Sequence, residues 1–464
     1  METAKNPLGT EPVGKLMLKF AVPSIIAMLV GALYNIVDQL FIGQAVGTNG
    51  NAATNIAFPL STMCISFALM FGVGGASCYN LALGRGDTKK APFFVGNSFV
   101  MLLFCGVVLC AVTELFLDPL LTLFGAPAEV MPYARDYVRI TAFGFPFLIL
   151  TTGGGHLLRA DGSPGMTMFC SIIGAVINTA LDALFVFGFN WGMAGAAAAT
   201  IIGQVISAGI VIWYIFARFH TTELTKEHFI PKPAVIGRAA SIGLASFINQ
   251  IAIMIVQIVV NNLLRYYGSL SVYGESIPLA AAGIVMKVNQ IVFSFAIGLG
   301  QGSQPIESFN YGARKYPRVK KALLLACGAS FAISLFFFMF FQIFPRRILS
   351  LFGNGSEEYF VFGENFFRIF LFFVPFVSLQ PVASTFFTSI GKPVKGIVLS
   401  LTRQIAFFLP LAVILPIFFG IDGIMYAGPC GDFMSSVIAI IMVIAEFSLM
   451  KRQETALRAS GAVE

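Results

Sequence analysis

The sequence carries little charge. Only 11% of its 464 residues are Asp, Glu, Lys or Arg, and 57% are hydrophobic, whereas a soluble globular domain has roughly 25% charged residues. The mean hydropathy is +0.85. This composition excludes an ordinary water-soluble domain, and we expect lipid to surround most of the chain.

Residues for metal, redox or catalytic chemistry are also scarce. The chain has three His and seven Cys, and the cysteines are odd in number and lack metal-ligand spacing. His220 and His228 lie in a polar linker, apart from His156, so the histidines do not form a metal site. We find no paired nucleophile and base and no repeated ion filter, which disfavours an enzyme or a channel. We therefore expect reduced, packing cysteines and no cofactor.

Apolar stretches recur along the whole chain, and many reach the ~20 residues that a helix needs to cross a bilayer. The breaks between them predict an all-α polytopic membrane protein with about 12 transmembrane helices. The first stretch is too long for a signal peptide. The predicted helices are 15–41, 52–82, 92–117, 133–157, 166–189, 193–217, 236–267, 277–310, 322–343, 358–388, 397–419 and 425–450.

Basic residues alternate between the two sides of this pattern. They are concentrated before the first helix, in the 85–90 loop, in the segment 218–238 and after the last helix. Because Lys and Arg in short loops are retained in the cytoplasm, we predict that both termini are cytoplasmic in a plasma (inner) membrane protein. The net charge of +7 then reflects orientation, since no basic cluster is interleaved with base-stacking aromatics and nucleic acid is not an expected partner.

The two halves of the chain resemble each other. A shift of 226 positions superposes Gly72 on Gly298, and a shift of 229 superposes Pro146 on Pro375. Consistent shifts of this kind indicate parallel repeats, which are common in transporters. We predict two pseudo-symmetric six-helix bundles, at 1–217 and 236–450, joined by a cytoplasmic linker at 218–235 and followed by a cytoplasmic tail at 451–464.

Polar residues break this symmetry. Asp38 lies in the first predicted helix and Asp182 in the fifth, and the repeat places Ile258 and Leu411 at the matching C-terminal positions. Intramembrane carboxylates are costly and mark functional sites.

Asn178 precedes Asp182 by four residues and so shares its helix face, and Thr200 of the sixth helix adds a hydroxyl. Oxygen ligands suit a hard cation, and a buried carboxylate can take up a proton. The alternative is that these groups only hydrogen-bond the helices together.

With these residues the chain resembles the multidrug and toxic compound extrusion (MATE) family over nearly its whole length, and specifically the bacterial branch with an N-terminal-lobe cation site. The residues that carry the resemblance are Pro23, Tyr34, Asp38, the runs 71–87 and 159–164, Asn178, Asp182 and Thr200. The resemblance implies a V-shaped pair of bundles that exports cationic amphipathic compounds in exchange for H⁺ or Na⁺. It also implies that Asp38, Asn178, Asp182 and Thr200 bind the coupling ion. The chain departs from relatives with a glutamate in the seventh helix, where it has Asn249.

Further expectations follow for the transport pathway. We expect Tyr34, Asp38 and Asp182 to line a substrate cavity for small organic cations. Pro23 is expected to bend the first helix, because proline removes a backbone hydrogen bond and clashes with the preceding turn. Besides these substrates, membrane lipid is the expected partner, and the transporter is expected to act as a monomer.

Other intramembrane charges have less defined roles. Lys287 is expected either to tune the cavity or to pair structurally. Interfacial or loop contacts are expected for Arg368, Arg403 and Glu307. The alternative function on the same two-bundle plan is a flippase or an exporter of one specific lipid or metabolite. Increased tolerance to several unrelated cationic dyes would favour the multidrug transporter over this alternative.

Overall fold

The computed structural model describes residues 6–274, 276–352 and 356–459, and within these ranges the chain consists of helices and connecting turns without strands. Ten helices are long and apolar enough to span a membrane, and two helix pairs, bent by 57° and 52°, each form one broken span. The predicted all-α fold with about 12 spans is therefore confirmed.

We number the spans in chain order, treating each bent pair and each helix with a π-helical segment as one. They are α1 (Val13–Ala45), α2 (Thr48–Gly84), α3 (Ala91–Leu115), α4 (Met131–Ala142 and Phe145–Ala160), α5 (Pro164–Gly188), α6 (Gly192–Ala217), α7 (Pro233–Ser269), α8 (Ser276–Gly312), α9 (Tyr316–Ile343), α10 (Glu357–Phe370 and Val374–Ser389), α11 (Pro393–Phe419) and α12 (Asp422–Ala459). Short helices lie outside the spans at Pro7–Thr10, Leu117–Leu123, Lys226–Phe229 and Pro345–Phe352.

Proline marks the start of most of these helices. It can occupy the first turn because the N–H that it lacks would have no intrahelical partner there. The prolines in the first two helical positions include Pro92, Pro132, Pro146, Pro164, Pro233, Pro317, Pro375 and Pro393. Long apolar runs then continue each helix until a glycine or a polar turn ends it.

The bends and turns repeat between the halves. The break in α4 precedes Pro146, and the break in α10 precedes Pro375, which is the residue superposed on Pro146 by the 229-residue shift. The turns after these helices contain Gly162 and Gly391, with φ of +86° and +75°. Both glycines have the left-handed backbone that side chains disfavour. The parallel repeat predicted from sequence is thus visible in the backbone.

Close helix crossings join the two bundles. Gly298 and Gly302 of α8 lie against α1, where an added Cβ would lie 2.6 Å from the Ile25 Cα and 2.5 Å from the Ala21 Cα, respectively. Such glycines, four residues apart, allow membrane helices to touch along their backbones. Gly243 of α7 contacts the Met70 backbone of α2 in the same way.

Hydrogen bonds strengthen the contact toward the ends of the helices that the sequence places at the cytoplasmic face. The Gln304 side chain of α8 donates to the Ser77 hydroxyl at 2.9 Å and to the Val73 carbonyl at 3.2 Å, both on α2. The Asn310 amide donates to the Leu8 carbonyl at 2.9 Å. The bundles are therefore joined at one end of the V.

The linker is also fixed to the N-terminal bundle. Asn97 of α3 donates to the His228 carbonyl at 2.9 Å and accepts from the Lys232 N–H at 2.6 Å. The Asp161 carboxylate accepts from the Thr221 N–H at 2.8 Å. The exact boundaries of the bundles stay predictions, although α6 ends at Ala217 and α12 continues to Ala459, past the predicted helix end at 450. All seven cysteines are free.

Candidate functional site

Two glycines bring α5 and α6 together beside the predicted site. An added Cβ at Gly203 of α6 would lie 2.8 Å from the Gly174 carbonyl and 3.2 Å from the Asn178 Cβ, both on α5. Only residues without side chains allow this approach. Thr200 lies one turn before Gly203, so the crossing places its hydroxyl next to Asn178.

Three helices meet at Thr200. The Asn178 Nδ2 donates to the Thr200 Oγ1 at 3.2 Å, and the Tyr34 hydroxyl of α1 lies 3.5 Å from the same oxygen. Asn178 and Thr200 are 2% and 8% exposed. Part of the site is therefore a hydrogen-bonded helix contact, which is what the alternative without ion binding expects. This contact uses only the N–H end of the Asn178 amide and leaves its oxygen unused.

Four buried oxygens of the site have no hydrogen-bond donor. Asp182 is completely buried and Asp38 is 8% exposed. Both carboxylate oxygens of Asp182, the Oδ1 of Asp38 and the Oδ1 of Asn178 lack a partner. The two carboxyl groups lie within hydrogen-bond reach of each other when one is protonated. Unpaired buried carboxylates are strongly disfavoured, so this arrangement favours a bound proton or a small hard cation.

Tyr137 of α4 is a neighbour that the sequence did not indicate. Its hydroxyl is close enough to Asp38, Asp182 and Tyr34 to interact with them electrostatically. A single tyrosine in an amphipathic helix gives no sequence signal, because tyrosine is common at membrane interfaces. The site therefore has walls from α1, α4, α5 and α6.

The helix that carries Asp182 changes geometry directly after it. The segment Ala183–Gly188 is a π-helix, a rare form that is often found at functional sites. Its Phe187 ring packs edge-on against Phe41 of α1, with ring centroids 5.5 Å apart. The carboxylates of α1 and α5 are thus followed by an aromatic contact between the same two helices.

The other predicted positions are placed as follows. Pro23 lies inside α1, which is helical on both sides of it, and its role in a bend stays a prediction. Asp182 is inaccessible, so a direct contact between substrate and Asp182 also stays a prediction. Within the described ranges, no three His, Cys, Asp or Glu residues are grouped as metal ligands would be.

Two expectations about charged residues are wrong. Arg403 does not lie at an interface: it is in the interior of α11, where its Nε is 3.1 Å from the Asp432 Oδ1 of α12. Glu307 is not in a loop contact but is completely buried in α8. The errors arose because both residues were placed by distance from the helix ends, and the neighbouring helix that covers a residue cannot be derived from that distance.

Comparisons with known proteins agree with this fold. The MatE family model matches residues 23–184 and 246–414. The multidrug export protein MepA of Staphylococcus haemolyticus is 24% identical over 445 residues, covering 94% of each chain. The probable multidrug resistance protein YoeA of Bacillus subtilis is 26% identical over 373 residues, covering 78% of this chain and 79% of its own.

Among solved structures, one of a multidrug resistance MATE family transporter in an outward-facing conformation superposes with a TM-score of 0.89. Its identity is 22%, and the alignment covers 96% of this chain and 98% of that chain. Both six-helix bundles are included in this overlap, so the two-bundle architecture expected from the repeat and the V shape implied by the resemblance are confirmed.

Proposed function

Because this chain belongs to the MatE family, whose members are transporters and not enzymes, we propose that it is a secondary active multidrug efflux transporter. It exports cationic amphipathic compounds in antiport with H⁺ or Na⁺. The multidrug export named for the relative MepA and the probable multidrug resistance named for YoeA support this function. The observation that carries it is the buried Asp38 and Asp182 pair without hydrogen-bond donors.

The pair links ion binding to helix position. Asp38 is on α1 and Asp182 on α5, and two ionised carboxylates at this distance repel each other in a medium of low dielectric constant. A proton shared between them, or a Na⁺ ion held by both and by the Asn178 oxygen, removes the repulsion and allows α1 to approach α5. Since α1 also contacts α8 at Ala21 and Ile25, its movement changes the contact between the bundles.

Location and orientation complete the proposal. The protein resides in the plasma (inner) membrane as a monomer, with both termini and the 218–235 linker in the cytoplasm, because the basic loops lie on that side. An engineered cysteine at Lys226 should be protected from an impermeant thiol reagent in intact cells and should react after permeabilisation. Reaction in intact cells would contradict the orientation.

Replacement of either carboxylate tests the coupling. Asp38→Asn and Asp182→Asn should fold, since an amide has nearly the same shape and is less costly to bury than a carboxylate. Neither should export a cationic dye from proteoliposomes under an imposed pH or Na⁺ gradient, and we expect a loss of about tenfold or more in rate for each.

The matched control is Asp118→Asn, the same substitution at an exposed residue of the N-terminal bundle. It should transport at the wild-type rate. Gradient-dependent export at wild-type rates by both Asp38→Asn and Asp182→Asn would refute the proposed site. The response of the wild type to a pH gradient or a Na⁺ gradient alone identifies the coupling ion.

A further inference from the structure

We propose that Lys287 of α8 is an anion-binding site in the cleft between the two bundles. It binds the carboxylate of substrates that carry an anionic group beside their cationic group. This inference rests on the proposed export function and specifies one class of its substrates.

The direction of Lys287 follows from the glycine contacts on its own helix. Gly298 and Gly302 mark the face of α8 that touches α1. Lys287 precedes Gly298 by 11 residues in the sequence, which is three turns of a helix to within about 20°. Its side chain is therefore on the face that points to the N-terminal bundle and not on the opposite, lipid-facing side.

The depth of Lys287 follows from the same contacts. Ala21 lies against Gly302, and Ile25 lies against Gly298, so α1 and α8 run antiparallel. Continuing this register outward places Lys287 opposite Ile36, about 3 Å along the axis from Asp38. Lys287 and Asn35 are both exposed, so the two helices have separated at this level, and a cleft lies between them.

No carboxylate of the described residues is paired with Lys287. Within the described ranges it forms no ion pair, whereas Arg403, a second intramembrane cation of the same bundle, is paired with Asp432 at 3.1 Å. Lys287 follows the start of α8 at Ser276 by about 16 Å along the helix axis.

The charges on the two sides of the cleft are complementary to a zwitterion. The N-terminal bundle carries Asp38, which is 8% exposed, and the C-terminal bundle carries Lys287 at nearly the same depth. In a site partly shielded from water, an ammonium group facing a carboxylate favours substrates with that group over otherwise identical esters.

Two dyes that differ only at the carboxylate test the site. Rhodamine B is a zwitterion with a free carboxylate, and rhodamine B ethyl ester is a cation. Fluorescence polarisation with the purified full-length protein gives the affinity for each dye. We expect Lys287→Gln to weaken rhodamine B binding about tenfold and to change ester binding by less than about twofold. Lys287→Arg, which keeps the charge, should retain rhodamine B binding.

A charge-matched control is Lys89→Gln in the exposed loop between α2 and α3, which should affect neither dye. Equal weakening of both dyes by Lys287→Gln, unchanged binding of both, or a wild type that binds neither dye would overturn the inference. Failure of the proposed function has a different signature, namely wild-type protein that binds the dyes but does not transport them under any ion gradient.

Discussion

Thr200 connects the proposed ion site to the helix packing. Its hydroxyl accepts from Asn178 at 3.2 Å and lies 3.5 Å from the Tyr34 hydroxyl. Thr200→Val keeps the shape of the side chain and leaves the Asn178 N–H without its acceptor, which costs about 1–3 kcal/mol. We expect a lower thermal midpoint and a several-fold weaker dependence of transport on the ion gradient.

Thr200→Ser separates the hydroxyl from the methyl group. It keeps the acceptor and should retain coupling close to that of the wild type. Valine and serine variants with equal transport and equal midpoints would show that the hydroxyl has no role at this position.

The residues of the candidate site could be selected from the sequence because they contrast with their surroundings. Asp38, Asn178 and Asp182 are polar residues within apolar helices, and the repeat replaces both carboxylates by aliphatic residues in the other half. Tyr137 gives no such contrast, and its proximity to the carboxylates depends on the packing of α4. Polarity is readable from a sequence, whereas contact between helices requires the fold.

Among the helices, α1 carries both the proposed ion site and a close contact with the other bundle. Pro23 lies between Ala21 and Ile25, which contact α8, and one helix leads from there to Asp38. Proline removes one backbone hydrogen bond and eases bending at that position. We predict that Pro23→Ala straightens and stiffens α1, and that transport falls severalfold while ion binding persists.

The measurement for Pro23→Ala pairs two readouts on one preparation. Dye export in proteoliposomes reports transport, and ion-dependent protection of a reporter cysteine at the exposed Asn35 of α1 reports movement near the site. Wild-type export would show that the proline is a static feature of the helix.

The same crossing is built differently in the two bundles. In the N-terminal bundle α5 and α6 meet at Gly174 and Gly203, and the 229-residue shift places Arg403 and Asp432 at these positions in α11 and α12. One bundle thus uses close backbone contact where the other uses an ion pair. The repeat superposes the two crossings, but the pairing of Arg403 could not be derived from it, because the register between two helices is set by packing.

π-Helical segments were also beyond prediction from the sequence. They occur at Ala183–Gly188 and at Thr402–Phe408, in the fifth helix of each bundle. Hydropathy predicts that a segment is helical and spans the bilayer. It does not reveal the one additional residue per turn that distinguishes a π-helix from an α-helix. Both segments lie beside charged residues, which is where local backbone geometry affects function most directly.

At the scale of the whole molecule, the contacts between the bundles include two antiparallel pairs of helices, α1 with α8 and α2 with α7. They include the packing of Phe67 against Phe247, with ring centroids 5.1 Å apart. Alternating access in two-bundle transporters is largely a rocking of one bundle against the other. Export by this mechanism therefore requires the Phe67 and Phe247 contact to separate in each cycle.

A reversible cross-link tests that requirement. In a background without the seven native cysteines, Phe67→Cys with Phe247→Cys should be joined by a short methanethiosulfonate cross-linker, because the two rings are in contact. Export should fall to the background rate after cross-linking and recover when a reducing agent releases the link.

The control pair is Phe99→Cys with Phe216→Cys, whose ring centroids are 5.6 Å apart on α3 and α6 of a single bundle. A link within one bundle leaves a rigid-body movement free, so this pair should keep its export. If the link between α2 and α7 left export unchanged, the bundles would not separate at this contact, and rocking about the joined end of the V would be ruled out as the transport step.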